Sequence, residues 1–391
     1  MVVVAFRDAT VGGVSRSALS AGRVWRLLGK AVLFLPLVPP HSERRDRFAT
    51  VGAIAERISD VDWEAVEIVH LHHGAMGRAM RADLTDLVRT VRAARSLPLP
   101  LMTKNVFAVD DRILDGWPGP RAVTTPGWWA AMQYTFNSGR PLGKNMPWIV
   151  ANVQDAAWLR PPSSEERAAA RADLGIDAGD FCIVRIGSPL RDKWSDAYLD
   201  LIRRVERQRA MRLILLGPPP PILAAARRSS PSVVALPTTG DDRAIRSVYW
   251  AADVFALDAH RGETFGNVLF EAMLCGVPAV YRARPFRDNT PWELIDLDGF
   301  EYARSKRAWL REAMDRSRPL ATSRDRIIAR YGYGSVPRAY REVQSALQHA
   351  QAGTVWSSES DWVDRLSWGD RVACALRHNP VVMRLKEARL R

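Results

Sequence analysis

Two carboxylates with seven residues between them, Glu263 and Glu271, stand in the segment His260-Arg-Gly-Glu-Thr-Phe-Gly-Asn-Val-Leu-Phe-Glu-Ala-Met-Leu-Cys-Gly-Val-Pro. The apolar run Val254 to Leu257 just before it predicts a strand. Gly262 and Gly266 permit a tight strand-to-helix turn and close approach of backbone to a ligand. The amides of Phe265, Gly266 and Asn267 then stand at a helix N-terminus, where unpaired N–H groups and the helix dipole make a ready site for an anion. Glu263 falls in the loop and Glu271 one to two turns into the helix Asn267 to Leu274, so the two acids can flank one molecule at different depths. Carboxylates accept hydrogen bonds from hydroxyls, those of sugars included. Gly276 suits the position just past the helix and Pro278 bars its continuation, which keeps the helix short.

Cationic candidates are fewer than the charge suggests. Of 56 basic residues only six are Lys, so Lys104, Lys144 and Lys193 are weighed singly. Val69-His-Leu-His-His-Gly closes an apolar run; alternation puts His70 and His72 on one face and Leu71 and His73 on the other. No acid or further His stands at useful spacing from them, and no metal site is expected. Trp128, Trp129 and Trp148 hint at an apolar or stacking acceptor surface, against the commoner explanation of buried aromatics.

The elements that must hold these residues follow a βαβ rhythm. Apolar runs Val2 to Phe6, Val32 to Pro36, Val66 to Leu71 and Leu99 to Thr103 predict strands, with a helix over Val14 to Leu28. The aromatic stretch Trp128 to Trp158 reads as a domain junction, followed by a helix that Ser163 or Ser164 caps and that ends at Leu174. The rhythm restarts with strands Phe181 to Ile186, Leu213 to Leu216, Val233 to Leu236, Val254 to Leu257 and Ala279 to Tyr281, and helices Ser195 to Arg209 and Asp241 to Ala251. The expected fold is therefore α/β, with two Rossmann-like doubly wound domains facing across a cleft. Residues 1–160 form the N-terminal domain, 161–340 the C-terminal one, and 341–391 a crossover helix with a helical extension rich in Trp and basic residues.

A chain of 391 residues exceeds what one core usually organises, which agrees with two domains. The longest apolar stretch, Ala31 to Pro39, is too short and proline-broken to span a bilayer, and no secretory signal opens the chain, so a cytoplasmic location is expected. Cys182, Cys275 and Cys374 are too scattered for a disulfide framework or zinc site and read as reduced core thiols. The net charge of +13 favours anionic partners, but no nucleic-acid-binding signature accompanies it and none is expected to bind. Trp356, Trp362 and Trp368 with Arg384, Lys386, Arg389 and Arg391 suit either peripheral contact with an anionic membrane or packing of the tryptophans on the N-terminal domain.

The segment around Glu263 and Glu271 resembles the signature of glycosyltransferase family 4, the retaining GT-B enzymes also called glycosyl transferases group 1: G-E-x-F-G…E-A-x-x-x-G-x-P. The resemblance implies that Glu263 binds donor-sugar hydroxyls, that Thr264, Phe265, Gly266 and Asn267 line the sugar and diphosphate through the backbone there, and that Glu271 binds the ribose. Val184-Arg-Ile-Gly-Ser-Pro-Leu-Arg-Asp-Lys-Trp is similar to the family's diphosphate clamp, with Lys193 at the Lys position. Ser188 stands where the family has Arg, and Arg185 or Arg191 is the candidate to replace it. Val11-Gly-Gly-Val-Ser resembles the first glycine loop, which brings Gly12 and Gly13 to the donor phosphate. The likeness thins toward the N-terminus: Lys104 and Asn105 occupy the place of an expected His beside the sugar. His72, Lys104, Asn105 and, from the loop Asp288-Asn-Thr-Pro, Asn289 are the sugar-side and acceptor-side candidates.

The function so implied is retaining transfer of a sugar, of hexosyl type, from an NDP-sugar to the hydroxyl of a natural product, glycan or lipid, with Lys193 and Glu263 in the catalytic roles and neither cofactor nor obligatory metal. Two other readings compete with it: a pseudo-glycosyltransferase or phosphorylase on the same fold, and a non-catalytic binding protein at an anionic surface.

Overall fold

The computed structural model describes residues 1–7, 13–39, 42–73, 78–106, 111–137, 146–260, 262–284, 291, 294–350 and 352–357. Its contacts divide the chain into two compact units, Met1–Val153 with Gly334–Arg391, and Gln154–Tyr333.

In the first unit the chain runs β1 (Val2–Phe6), α1 (Gly13–Leu27), β2 (Val32–Pro36), α2 (Ser42–Ala49), β3 (Ala53–Ile54), β4 (Ile68–His73), α3 (Arg78–Ala94), β5 (Leu101–Asn105), β6 (Arg121–Thr125), α4 (Trp128–Asn137) and β7 (Trp148–Ile149). All described pairings are parallel, with β4 beside β1 in register Val4↔His70. Helices cover both faces of a parallel sheet, so its strands are continuous apolar runs rather than alternating ones. One face packs Val3, Ala5, Val69 and Leu71 against Leu84 and Leu87 of α3. The stretch Trp128 to Trp158, expected as a junction, contributes α4 and β7 to this unit, and the chain leaves it after Val153. Because α4 is apolar nearly throughout, it carries no helical period to mark it.

The second unit runs α5 (Ser164–Asp173), β8 (Phe181–Ile186), α6 (Ala197–Val205), β9 (Met211–Leu216), α7 (Pro220–Arg228), β10 (Val233–Leu236), α8 (Asp242–Ala251), β11 (Val254–Leu257), α9 (Asn267–Leu274), β12 (Ala279–Arg282), β13 (Phe300–Ala303), α10 (Lys306–Ala313) and α11 (Arg324–Tyr331). Its six strands lie in the order β10-β9-β8-β11-β12-β13, all parallel. The start of α5 is fixed by a capping box: Ser163 Oγ accepts from the Glu166 amide at 3.1 Å while Glu166 accepts from the Ser163 amide at 2.8 Å. Arg160 also grips Glu166, and this pairing holds the Glu166 carboxyl down at about 2. Ile183, Leu213 and Leu215 pack on Tyr198, Leu201 and Trp309 to form one core face. From β8 the chain winds outward to β10, then returns to β11 and winds the other way to β13. The order therefore reverses between β8 and β11, and the crevice beyond their carboxyl ends is the place where such sheets bind ligands.

The chain then re-enters the first unit as α12 (Val336–His349) and β14 (Thr354–Val355), which pairs with β6 at the sheet edge. The resulting order is β14-β6-β5-β4-β1-β2-β3, with β7 also on β6. Trp356 packs on Val123 and Tyr134 of this unit; Trp362, Trp368 and the basic residues of the extension lie outside the described residues. No helix among the described residues is long and apolar enough to cross a membrane. Cys182 and Cys275 are buried free thiols, and burial pushes the Cys182 thiol up to about 12.

Candidate active site

The two loops at the switch point of the second sheet carry the charged pair of the site. After β8 the chain passes Gly187 and turns through Arg191–Lys193 before entering α6. After β11 it passes Asp258 to Gly266 and enters α9. Lys193 Nζ donates to Glu263 Oε2 at 3.0 Å, with the Lys193 side chain 33% exposed and the Glu263 side chain 8%. A half-buried cation thus sits against a nearly buried carboxylate, open to solvent on the lysine side.

Gly266 caps α9 in the left-handed region, φ 75°, where any side chain would be strained; a Cβ there would also meet Leu269 Cδ1 at 3.1 Å. That turn starts α9 directly after the loop that carries Glu263. Gly262 has φ 74° in the same loop. Phe265 is buried, stacked on Phe270 at 4.6 Å, so its ring belongs to the core and only its backbone is left for a ligand. Thr264 and Asn267 are half-buried, and Asn267 Oδ1 accepts from Gln154 Nε2 at 3.2 Å. Glu271 is 2% exposed, with the Tyr249 hydroxyl donating to its Oε2 at 3.0 Å.

Arg185 takes no exposed position. It is fully buried, stacks on Trp194 at 4.7 Å and donates to the carbonyls of Ile186 and, at 2.7 Å, Lys193. Its guanidinium thus holds the turn that presents Lys193. Ser188 is half-buried and gives its carbonyl to Trp194 Nε1 at 2.9 Å, and Arg191 is exposed.

In the first unit Gly13 opens α1 and is exposed, while Gly12 lies outside the described residues, as does Asn289. His72, Lys104 and Asn105 lie at the carboxyl ends of β4 and β5, all of them buried. His70 and His72 share one face, their rings 4.4 Å apart; Trp25 Nε1 donates to His70 Nδ1 at 3.1 Å and Tyr340 of α12 packs edge-on. Both ring nitrogens of His72 are buried without a hydrogen-bond partner among the described residues. Burial lowers His70 to about 3, holds His72 well below its usual value, and brings the Lys104 ammonium, which donates to the Val150 carbonyl, down to about 7. His73 Nε2 lies 3.9 Å from Asp111. Trp148 Nε1 donates to the Val355 carbonyl at 3.1 Å; the side chains of Trp128 and Trp129 lie outside those described. No group of three or more metal-ligating side chains occurs among the described residues.

Residues 181–288, which begin at β8 and include β12, match the family described as glycosyl transferases group 1. The second unit thus contains a segment similar to group 1 glycosyl transferases. D-inositol 3-phosphate glycosyltransferases are similar over part of the chain. That of Segniliparus rotundus is 33% identical over 141 residues, 34% of this chain and 30% of that protein. That of Mycobacteroides abscessus is 28% identical over 206 residues, 50% of this chain and 41% of that protein. The chain thus spans less than half the length of these curated relatives. Among solved structures, Anabaena HepE in complex with UDP and glucose is similar over 89% of this chain and 100% of its own, with a TM-score of 0.69 at 14% identity. The same protein with UDP-glucose gives 0.67 over 88% of this chain. The fold is GT-B, two parallel α/β units of this type.

Within the group 1 segment, two partners escaped the sequence. Tyr249 meets Glu271 from 22 residues away, and Ser195 meets Asp258 from 63 away. Tyr249 stands on an apolar helix face and reads as core; Asp258, alone among apolar residues at the end of β11, was the one available signal.

Proposed function

We propose that the chain transfers a sugar from a nucleotide-sugar donor to an acceptor hydroxyl, with retention of anomeric configuration. The observation that carries this reading is the Lys193–Glu263 pair, 3.0 Å apart at the switch-point crevice, beside the N-terminus of α9. A departing nucleoside diphosphate accumulates negative charge. Lys193 and the first amides of α9 are fixed donors for that charge, and preorganised donors need not reorganise as it develops. Glu263 holds the sugar hydroxyls and Glu271, steadied by Tyr249, holds the ribose. Catalysis then rests on positioning and charge stabilisation through an oxocarbenium-like transition state, with the diphosphate taking the acceptor's proton. In the first unit, His72, Lys104 and Asn105 mark the acceptor side. Glycans, natural products and lipids are the acceptor classes, and the name of the curated relatives adds a phosphorylated cyclitol.

The test is turnover of purified protein with a panel of NDP-sugars and these acceptors. Release of nucleoside diphosphate with a product of retained anomeric configuration is expected. An inverted product, or no consumption of any donor, overturns the reading.

A further inference from the structure

Asp258 is fully buried at the end of β11. Its Oδ2 accepts from Ser195 Oγ at 2.5 Å and from Arg282 at 2.9 Å, and its Oδ1 accepts from Arg284 at 2.5 Å. Its amide donates to the Tyr198 hydroxyl at 2.8 Å. Arg284 also donates to the Ala259 carbonyl at 3.0 Å. One carboxylate therefore joins the loop after β8, the loop after β11 and the end of β12.

The position of this joint matters more than its strength. Ser195 lies two residues after Lys193, and Asp258 five before Glu263. The β8–β11 ladder itself ends at Phe255↔Val184. Past that rung no ladder bond between these strands holds the two loops at a set separation. The Ser195–Asp258 bond bridges them just behind the Lys193–Glu263 pair. Two guanidinium groups on the same buried carboxylate give charge-assisted bonds, which are short and directional. Arg185, donating to the Lys193 carbonyl, steadies the same turn from the other side.

We propose that Asp258 is a positioning residue for sugar transfer, acting through Ser195 to set the distance between Lys193 and Glu263. This rests on the function proposed above. A displacement of about 1 Å at a reacting group costs up to about a hundredfold in rate, so the joint is worth a measurable factor without touching substrate.

The test is a double-mutant cycle of Ser195→Ala and Lys193→Ala on kcat/KM for the donor. Ser195→Ala leaves both arginine contacts of Asp258 in place and is the variant to use should Asp258→Asn not fold. It is expected to lower kcat/KM on the order of tenfold in the wild type but less than about twofold in the Lys193→Ala background. Ser195→Thr, which keeps the hydroxyl, is expected to recover most of the loss. Equal factors in both backgrounds mean a merely structural bond and overturn the proposal. Should the wild-type protein turn over no donor, the function fails, and a crystal structure of Ser195→Ala still decides this point: a retained Lys193–Glu263 contact near 3.0 Å overturns it, and a separated pair supports it.

Discussion

Lys193 and Glu263 come from opposite sides of the strand-order reversal and meet at 3.0 Å, 70 residues apart in sequence. In the proposed function the cation for the diphosphate is thus already held against the acid for the sugar. Lys193→Ala is expected to lower kcat by about a hundredfold to a thousandfold, the loss typical of one preorganised donor to a developing anion. Steady-state kinetics with a saturating donor check it; unchanged kcat removes Lys193 from the mechanism.

Glu271 is expected to act on binding rather than on the chemical step. Glu271→Ala should raise the donor KM at least about tenfold with kcat little changed, since the buried carboxyl group proposed to hold the ribose is lost. Tyr249→Phe removes the hydrogen bond to the carboxylate together with a longer one to the Val268 carbonyl; the loss of the first, worth about 1 kcal/mol, should raise KM about fivefold. A fall in kcat with unchanged KM would contradict this division.

The turn into α9 depends on one left-handed residue. Gly266→Ala places a side chain at φ 75° and is expected to destabilise the second unit by about 1–2 kcal/mol. Urea unfolding measures it. A shifted midpoint with weaker donor binding is the expected pair of results.

The first unit carries its own pH signature. Burial lowers His70 to about 3, and His72 also lies below its usual value, so between pH 3 and 6.5 the unfolded chain takes up protons that the folded one refuses. Stability therefore falls as pH drops through 6.5. Lys104, brought to about 7 from 10.5, extends the same slope upward: stability rises with pH between 7 and 10.5. Lys104→Met should flatten the alkaline part of the rise and leave most of the acidic part, which burial causes first and the Lys104 charge only adds to, in place. Thermal melts from pH 5 to 9.5 read both limbs.

Parallel sheets make a sequence unusually readable, because strands buried on both faces appear as uninterrupted apolar runs. Val2 to Phe6, Phe181 to Ile186, Val233 to Leu236 and Val254 to Leu257 form strands over the residues that the runs mark, and α9 spans the segment that Gly266 and Gly276 delimit. The helix expected over Ser195 to Arg209 is shorter, Ala197–Val205. Ser195 turns its hydroxyl to Asp258 instead of entering the helix, and residues 206–209 present no apolar side chain to pack. In the site, Glu263, Glu271 and Lys193 were legible because a glycine-framed loop and a helix stop surround the acids and a scarce lysine follows a strand. Asp258, Ser195 and Tyr249 were not, since the fold alone brings them to their partners. The burial of Lys104 was equally hidden: a lysine in an apolar strand gives no sign of whether its amine reaches solvent.

The crevice beyond β8 and β11 is the proposed nucleotide-sugar site. Titration calorimetry of the purified protein against a panel of NDP-sugars tests it most directly. Saturable binding of at least one donor is expected, weakened at least about tenfold by Glu271→Ala. Wild-type protein that binds none of the panel, or a donor that binds Glu271→Ala as tightly as wild type, contradicts it.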